Sequence, residues 1–272
     1  MKFVCPKCAE KLIVQNGSAV CKNGHSYDRS RGGYYNLLLA SRGGVHGDNR
    51  EMVLARRAFL SAGYYAPLAR YLSFLVTEYL PYRGSVLDAG AGEGYYTDFV
   101  ERILYERDGA SDVSAFDISK DAVKEIGKKN PRISLAVAGS YHMPVKDETF
   151  DCVINTFSPM APEETRRVIK VGGHFIMAIP GEMHLFGLKQ AIYDTPYKNV
   201  VADTALEGFE LVLDEPLDYN IKLDSKEDIR NLFMMTPYAY RTRAEDREKI
   251  LSLESLETKI DFRVFVYRKI QS

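Results

Sequence analysis

Three of the chain's four cysteines fall within its first 21 residues, and with a nearby histidine they form the set Cys5-Pro6-Lys7-Cys8, Cys21 and His25. A tight turn places the two thiolates of a C-x2-C pair on one side of an ion, and a second knuckle a dozen residues later completes a tetrahedron. Three thiolates and one imidazole suit Zn2+. Four protein ligands leave no open position, so the expected centre is structural. So short a segment cannot bury enough apolar surface to fold alone, and the metal is expected to supply much of its folding free energy. Cys152, in the apolar run from Phe150 to Asn155, reads instead as a small buried thiol.

A second constellation is Val86-Leu87-Asp88-Ala89-Gly90-Ala91-Gly92-Glu93-Gly94-Tyr95-Tyr96-Thr97. Glycines at alternate positions let a backbone turn tightly and approach a ligand, while the following helix offers unpaired N–H groups. A dinucleotide fingerprint needs G-x-G-x-x-G. Here the spacing is G-x-G-x-G at Gly90, Gly92 and Gly94, with Asp88 two residues before, which is the pattern of S-adenosylmethionine-dependent methyltransferases. That cofactor has no pyrophosphate to hold, and Asp88 is suited to its cationic methionyl end. Asp117, at the expected tip of the next strand, is placed to accept hydrogen bonds from a ribose diol. In the stretch from Ala138 to Pro144, Gly139 or Ser140 stands where an aspartate near the adenine is usual, which leaves adenine contacts to backbone groups or Ser140.

Positioning these groups requires alternating elements. Strands are expected at 85–89, 113–117, 133–138, 150–155 and 174–179, with helices near 93–107, 120–129 and 162–170; such alternation implies a parallel sheet covered on both faces. Apolar spacing also predicts helices over 52–60 and 67–80, and the tail 259–268 is expected to close the sheet as an antiparallel strand. The fold class is therefore α/β: a Rossmann-like class I S-adenosylmethionine-dependent methyltransferase domain plus a small N-terminal zinc-binding domain. The expected division is 1–35 for the zinc-binding domain, 36–60 for a linker and first helix, and 61–272 for the methyltransferase domain. Within this, the Gly- and Arg-rich segment 29–50 reads as a linker or mobile loop.

Apolar residues make up 46% and charged residues 27% of the 272, which excludes a disordered tail protein. Neither a membrane span nor a signal peptide is visible, so a cytoplasmic chain without membrane contact is expected. Formal charge is −1, but residues 1–60 carry ten Lys/Arg against four Asp/Glu. That asymmetry points to a nucleic-acid-facing end, with Arg29, Arg31, Arg42, Arg50, Arg56 and Arg57 beside Tyr34 and Tyr35 as candidate phosphate contacts. The fourth strand of the alternating region ends in Asn155-Thr156-Phe157-Ser158-Pro159, where many base methyltransferases hold their target. Asn155 is a candidate to bond the edge of an extruded base and Phe157 to stack on its face; the plainer alternative is a strand-end turn residue and a core cap. Glu163 and Glu164 open the next helix, where acids also stabilise the dipole, and no general base is evident.

The zinc knuckle, Gly33-Tyr34-Tyr35-Asn36-Leu37-Leu38, Arg56-Arg57-Ala58-Phe59-Leu60 with Gly63-Tyr64-Tyr65, Glu93-Gly94-Tyr95-Tyr96-Thr97 and Met235-Thr236-Pro237-Tyr238 occur in this order. Together they resemble the large-subunit ribosomal RNA guanine-N1 methyltransferases of the RlmA type, nearly end to end. The resemblance implies methyl transfer to N1 of a guanine in a 23S rRNA hairpin beside the peptide exit tunnel; one branch of the family contributes to resistance against the macrolide tylosin. It further implies an RNA-recognising zinc domain, a cleft between the domains and a homodimer. It adds Tyr65 and His184 to the residues at the cofactor, where Tyr95 and Tyr96, at the end of the glycine loop, are candidates as well. The alternatives are a small-molecule or protein methyltransferase with a structural zinc knuckle, and a nucleic-acid-binding regulator with an inert methyltransferase fold.

Overall fold

The computed structural model describes residues 1–39, 47–201 and 204–271. It begins with a three-stranded antiparallel sheet, β1 (Ile13–Gln15), β2 (Ser18–Val20) and β3 (Ser26–Asp28). Asn16 and Gly17 join β1 to β2 with φ of 49° and 82°, the left-handed pair that matches strand twist in a two-residue hairpin.

A short strand, β4 (Tyr35–Asn36), precedes two helices, α1 (Arg50–Ser61) and α2 (Ala66–Tyr79). Asn49 caps α1 by accepting from the Met52 N–H, and Pro67 sits in the first turn of α2, where its missing N–H costs nothing. Then come β5 (Ser85–Ala89), α3 (Tyr95–Asp108), β6 (Asp112–Asp117), α4 (Lys120–Lys129), β7 (Ser134–Val137), β8 (Phe150–Thr156), α5 (Pro162–Val168) and β9 (Ile169–Pro180). The C-terminal part adds α6 (Phe186–Ile192), β10 (Phe209–Leu223), α7 (Lys226–Met234), α8 (Tyr238–Arg241), α9 (Ala244–Ser252) and β11 (Leu256–Lys269).

The main sheet runs β10-β11-β9-β8-β5-β6-β7-β4. Strands β5 to β9 pair in parallel, and β11 lies antiparallel between β9 and β10. Order reverses at β5, flanked by β6 and β8, and such a switch point opens a crevice at the carboxyl ends of the strands. All five residues of β5 are buried, as two covered faces require.

Those faces belong to two apolar clusters. Val86, Cys152, Ile154, Ile176 and Val264 meet the helices through Phe59, Leu68, Leu72 and Val100. On the other face, Leu87, Phe116, Val153 and Phe175 pack with Phe3, Cys5, Leu12, Ala19 and Cys21. The N-terminal module is thus part of the main core. Phe3 pairs antiparallel with Val145, and the Val4 N–H donates to the Pro144 carbonyl at 2.8 Å.

This corrects the expectation of a linker or mobile loop over 29–50. Tyr35 and Asn36 pair in parallel with Ala136 and Val137, extending the sheet at its edge, so the boundary drawn between 35 and 36 cuts a strand. Gly32 and Gly127 make the approach possible, since a Cβ on Gly127 would lie 1.8 Å from the Gly32 carbonyl oxygen. The central portion of that segment, 40–46, lies outside the described residues. The antiparallel tail is present, but its partner β10 was not anticipated. As an edge strand, β10 alternates acids with apolar residues around Pro216 and leaves much of its length exposed.

Candidate functional site

Two backbone knuckles build the metal centre. The Cys8 and Ala9 N–H groups donate to the Cys5 carbonyl, and the Gly24 N–H donates to that of Cys21. These turns bring the Sγ atoms of Cys5, Cys8 and Cys21 to 3.4, 3.5 and 3.4 Å from His25 Nδ1, with Cys8 and Cys21 Sγ 3.7 Å apart. A tetrahedron around Zn2+, with Zn–S about 2.3 Å and Zn–N about 2.0 Å, has S···N edges near ~3.5 Å and S···S edges near ~3.8 Å. The four residues therefore fit zinc. Tyr27 Oη lies 3.2 Å from Cys5 Sγ, an outer hydrogen bond of the kind that orients a ligand and tunes its basicity.

At the carboxyl end of β5 the glycine loop is held from three sides. Gly90 and Ala91 donate their N–H groups to the Phe116 carbonyl, and the Gly92 N–H donates to Asp117 Oδ2 at 2.9 Å. Gly90, Gly92 and Gly94 all have left-handed φ (89°, 56° and 83°), and a Cβ on Gly90 would strike Ser158 Oγ at 2.0 Å. Asp117 also accepts from the Ser119 N–H through Oδ1; each oxygen keeps a lone pair for a ribose hydroxyl. Asp88 is only 2% exposed and takes the Thr97 hydroxyl at 2.5 Å, so it braces the loop from beneath.

Electrostatics follow from burial. Desolvation pushes the Asp88 carboxyl up to about 7 against the Thr97 hydrogen bond. It also pushes Glu93 up to about 7 against the attraction of Arg56, and it raises Asp117. Arg56 is not a phosphate contact: its guanidinium donates to the Asp48 carboxylate and to the Met235 carbonyl and faces Glu93 and Asp117. Arg57 is paired with Glu125. Arg29, Arg31 and Arg50 remain exposed; Arg42 lies outside the described residues.

Phe157, just past β8, has φ of 59°, an uncommon and costly backbone state for a bulky residue that persists only where surroundings enforce it. Its ring centroid lies 6.4 Å from Tyr65, 6.2 Å from Tyr96, 6.3 Å from His184 and 5.1 Å from Phe262. At 38% exposure the ring still offers surface to the crevice. Asn155, buried within β8, donates through Nδ2 to the Ala89 carbonyl, tying the strand end to the loop. Tyr95 packs edge-on against Tyr96. Tyr65 and His184 meet at 3.2 Å between Oη and Nε2, and burial carries the imidazole down to about 3, so it is neutral near pH 7.

Other candidates fall away. Glu164 is engaged by Arg167 and the Met143 N–H, which hold its carboxyl below the usual range against its burial. Cys152 is fully buried, and burial raises its thiol. The sequence reading missed four supports of the site: Thr97 under Asp88, Ser158 over Gly90, the Arg56–Asp48 pair, and Asp261, whose backbone N–H donates to His184 Nδ1. Only Thr97 had a local signal, one helical turn beyond the loop.

Comparison with known proteins gives two family matches, "RlmA, N-terminal" over residues 3–42 and "Methyltransferase domain" over residues 86–173. A 23S rRNA (guanine(748)-N(1))-methyltransferase from Streptomyces fradiae is 32% identical over 81% of this chain and 79% of its own length. YxjB of Bacillus subtilis (strain 168), provisionally named a 23S rRNA (guanine-N(1)-)-methyltransferase, is 28% identical over 98% of this chain and 97% of its own. A provisionally named type II methyltransferase structure from Anaeromyxobacter dehalogenans shares the fold at a TM-score of 0.52 and 18% identity, covering 75% of this chain and 97% of its own. Relatedness along most of the chain, a zinc-fitting head and a glycine loop at the switch point agree: the chain belongs to the family of S-adenosylmethionine-dependent 23S rRNA (guanine-N1)-methyltransferases.

Proposed function

We propose that this protein methylates N1 of a guanine in a 23S rRNA hairpin near the peptide exit tunnel. The observation that carries the reading is Phe157, held in a strained backbone state beside the glycine loop with its ring half open to the crevice. A planar base extruded from a hairpin needs such a face to stack on. The names of the relatives supply the target, a guanine N1 in 23S rRNA.

Bound S-adenosylmethionine supplies an electrophilic methyl group. At the loop, Gly90, Gly92 and Gly94 allow close backbone approach, Asp117 would hold the ribose diol, and Asp88 and Glu93 would offer acidic groups to the cationic end. Phe157 would then orient the base, while the candidate Asn155 is spent on the Ala89 carbonyl and steadies the strand end beneath it. When bound, the cofactor would supply the methyl group for N1, and these residues would hold the base in line with it. A well-oriented pair gains roughly 7 to 11 kcal/mol from proximity, which makes alignment the main contribution of these residues. The rings of Tyr65, Tyr96 and Phe262 pack around Phe157 and support it.

Lys7, Lys11, Arg29 and Arg31 are exposed on the zinc module and suit the phosphates of the hairpin. The family resemblance extends the reading to a cytoplasmic homodimer, expected to sediment at twice the mass of one chain; a monomeric mass would remove the dimer. Among the described residues no helix is long and apolar enough to cross a membrane. Primer extension on 23S rRNA incubated with the protein and S-adenosylmethionine tests the function, because an N1 methyl blocks base pairing. A new stop at one guanine of that hairpin is expected; full read-through would refute the proposal.

A further inference from the structure

Helix α4 carries a row of cations outside the crevice. Lys120, Lys124 and Lys128 are all exposed and recur at intervals of four, which stacks them along one side of the helix. At about 1.5 Å per residue the row is about 12 Å long. The helix itself gains nothing from it. Like charges four residues apart repel, and Lys120 stands in the first turn, where the positive end of the helix dipole disfavours a cation. Lys128 is relieved by Glu125 at 2.6 Å, but that carboxylate already serves Arg57. Asp121 lies exposed beside the row. Among the described residues no side-chain hydrogen bond or ion pair engages Lys120 or Lys124.

Both ends of the row lead somewhere. Lys120 follows Asp117-Ile118-Ser119 in the chain, and Asp117 Oδ2 holds Gly92 of the glycine loop, so this end lies at the mouth of the crevice. Further along, α4 meets the turn that leaves the zinc head. The Gly32 carbonyl comes against Gly127, and a Cβ on Gly32 would lie 3.1 Å from Lys124 Cγ and 3.1 Å from the Tyr34 ring. Arg29 lies on the same turn, its Nε donating to the Gly33 carbonyl at 3.3 Å, and Arg31, next to Gly32, is exposed. Two basic surfaces from separate parts of the sequence thus join into one strip, in a chain whose formal charge is −1.

We propose that this strip is a phosphate track: the RNA flanking the target nucleotide runs along Lys120, Lys124 and Lys128 from the crevice to Arg29 and Arg31, so that the methyltransferase domain itself, and not the zinc head alone, holds the hairpin. This rests on the rRNA reading and goes beyond it by giving the substrate's backbone its path. Ammonium groups on flexible stems act as point charges for phosphate oxygens, and such contacts fix register and orientation without reading sequence. Two observations favour RNA over an acidic protein face. The row begins at the opening through which the nucleotide enters, and α4 exposes no large apolar side chain of the kind that anchors a protein interface.

Methyl-transfer kinetics on protein-free 23S rRNA, followed across about 50 to 200 mM salt, test it. Lys120→Ala, Lys124→Ala and Lys128→Ala together are expected to raise KM for the RNA at least about tenfold and to flatten the slope of log(kcat/KM) against log salt by about two. Loss of binding shared by ground and transition states leaves kcat, and with it S-adenosylhomocysteine affinity, within about twofold. Lys124→Arg, which keeps the charge, should behave as wild type. The matched triple Lys222→Ala, Lys226→Ala and Lys249→Ala removes the same charge from exposed positions in the C-terminal part and should leave KM within about twofold, because salt screens distant charges. An unchanged KM and slope in the α4 triple, which would leave the strip to an acidic protein face, would overturn the proposal. So would an equal rise in both triples, or a loss confined to kcat. Failure of the wild-type protein to methylate the rRNA would overturn the functional reading, and the track with it.

Discussion

All four ligands of the metal centre come from residues 5 to 25 and two turns, whereas the crevice at the glycine loop draws on groups from Asp48 to Phe262. The first is a local device that a short segment and an ion complete between them. The second exists only when β5, β8, β9 and β11 are in register, because Asp88, Phe157, His184 and Phe262 approach one another through sheet pairing. Even so, the local device does not stand apart. Phe3 and Cys5 share an apolar cluster with Leu87 and Phe175 of the sheet, so damage to the zinc site should travel into the main domain, while damage to the loop should stay where it is made.

Replacing Cys8 with Ser breaks this comparison most severely. Loss of one thiolate should release the zinc and, with it, a metal contribution on the order of 10 kcal/mol to the fold of the head. Zinc content should fall below one per chain and the thermal midpoint of the whole protein should drop. An unchanged midpoint would mean that the head is energetically separate. Phe3→Ala probes the same weld without touching a ligand: emptying a fully buried aromatic site costs about 3 to 5 kcal/mol. Denaturant unfolding should show that loss in a single transition, and zinc should be retained.

Gly90→Ala should act in the opposite, confined way. The new Cβ meets Ser158 Oγ at 2.0 Å, and φ is +89°, which adds about 1 to 2 kcal/mol of strain. Affinity for S-adenosylhomocysteine should fall at least about tenfold with zinc content intact. Ser158→Gly in the same chain should recover part of it; equal affinity in wild type and Gly90→Ala would show that the loop is not where the cofactor sits.

Much of this comparison is legible in the residues alone. Cys5, Cys8, Cys21 and His25 declare themselves by spacing because the tetrahedron is closed within one short segment. The glycine triplet declares itself because only such a backbone lets Ala89 to Gly94 turn under a ligand. Strand positions followed from apolar runs, as in β5 and β8. Arg56 was misjudged, since an arginine's sequence neighbours do not reveal that Asp48 and the Met235 carbonyl will meet it. Tyr34-Tyr35-Asn36 looked like linker because two residues pairing on a sheet edge leave no periodicity. The strain at Phe157 was invisible for a related reason: φ there is set by the sheet and by Ser158 against Gly90, not by local propensity.

Acidity separates the regions further. The folded pKa of Asp88 and of Glu93 is raised to about 7 from ordinary carboxylate values, so the folded state holds protons that the unfolded chain releases. Their contribution to stability is present at about pH 4 and is lost as pH rises through 7. His184 has the reverse sign. Its folded value of about 3 lies below the ordinary 6.5, so the unfolded chain binds a proton first, and stability is lost as pH falls from about 6.5 toward 3. A cationic cofactor favours ionised Asp88 and Glu93. Affinity for S-adenosylmethionine should therefore rise several-fold, up to about tenfold, between pH 6 and 8, and Asp88→Asn should flatten the curve. A flat wild-type profile would show that these acids do not face the cation.

The most direct test of the account incubates 23S rRNA with the protein and tritium-labelled S-adenosylmethionine, then digests the RNA to nucleosides and separates them. The account predicts that the label elutes as 1-methylguanosine, at about one equivalent per rRNA molecule, and that it disappears when Gly90→Ala replaces the wild-type protein. Label on any other nucleoside, or none on RNA while the protein binds the cofactor, would contradict it.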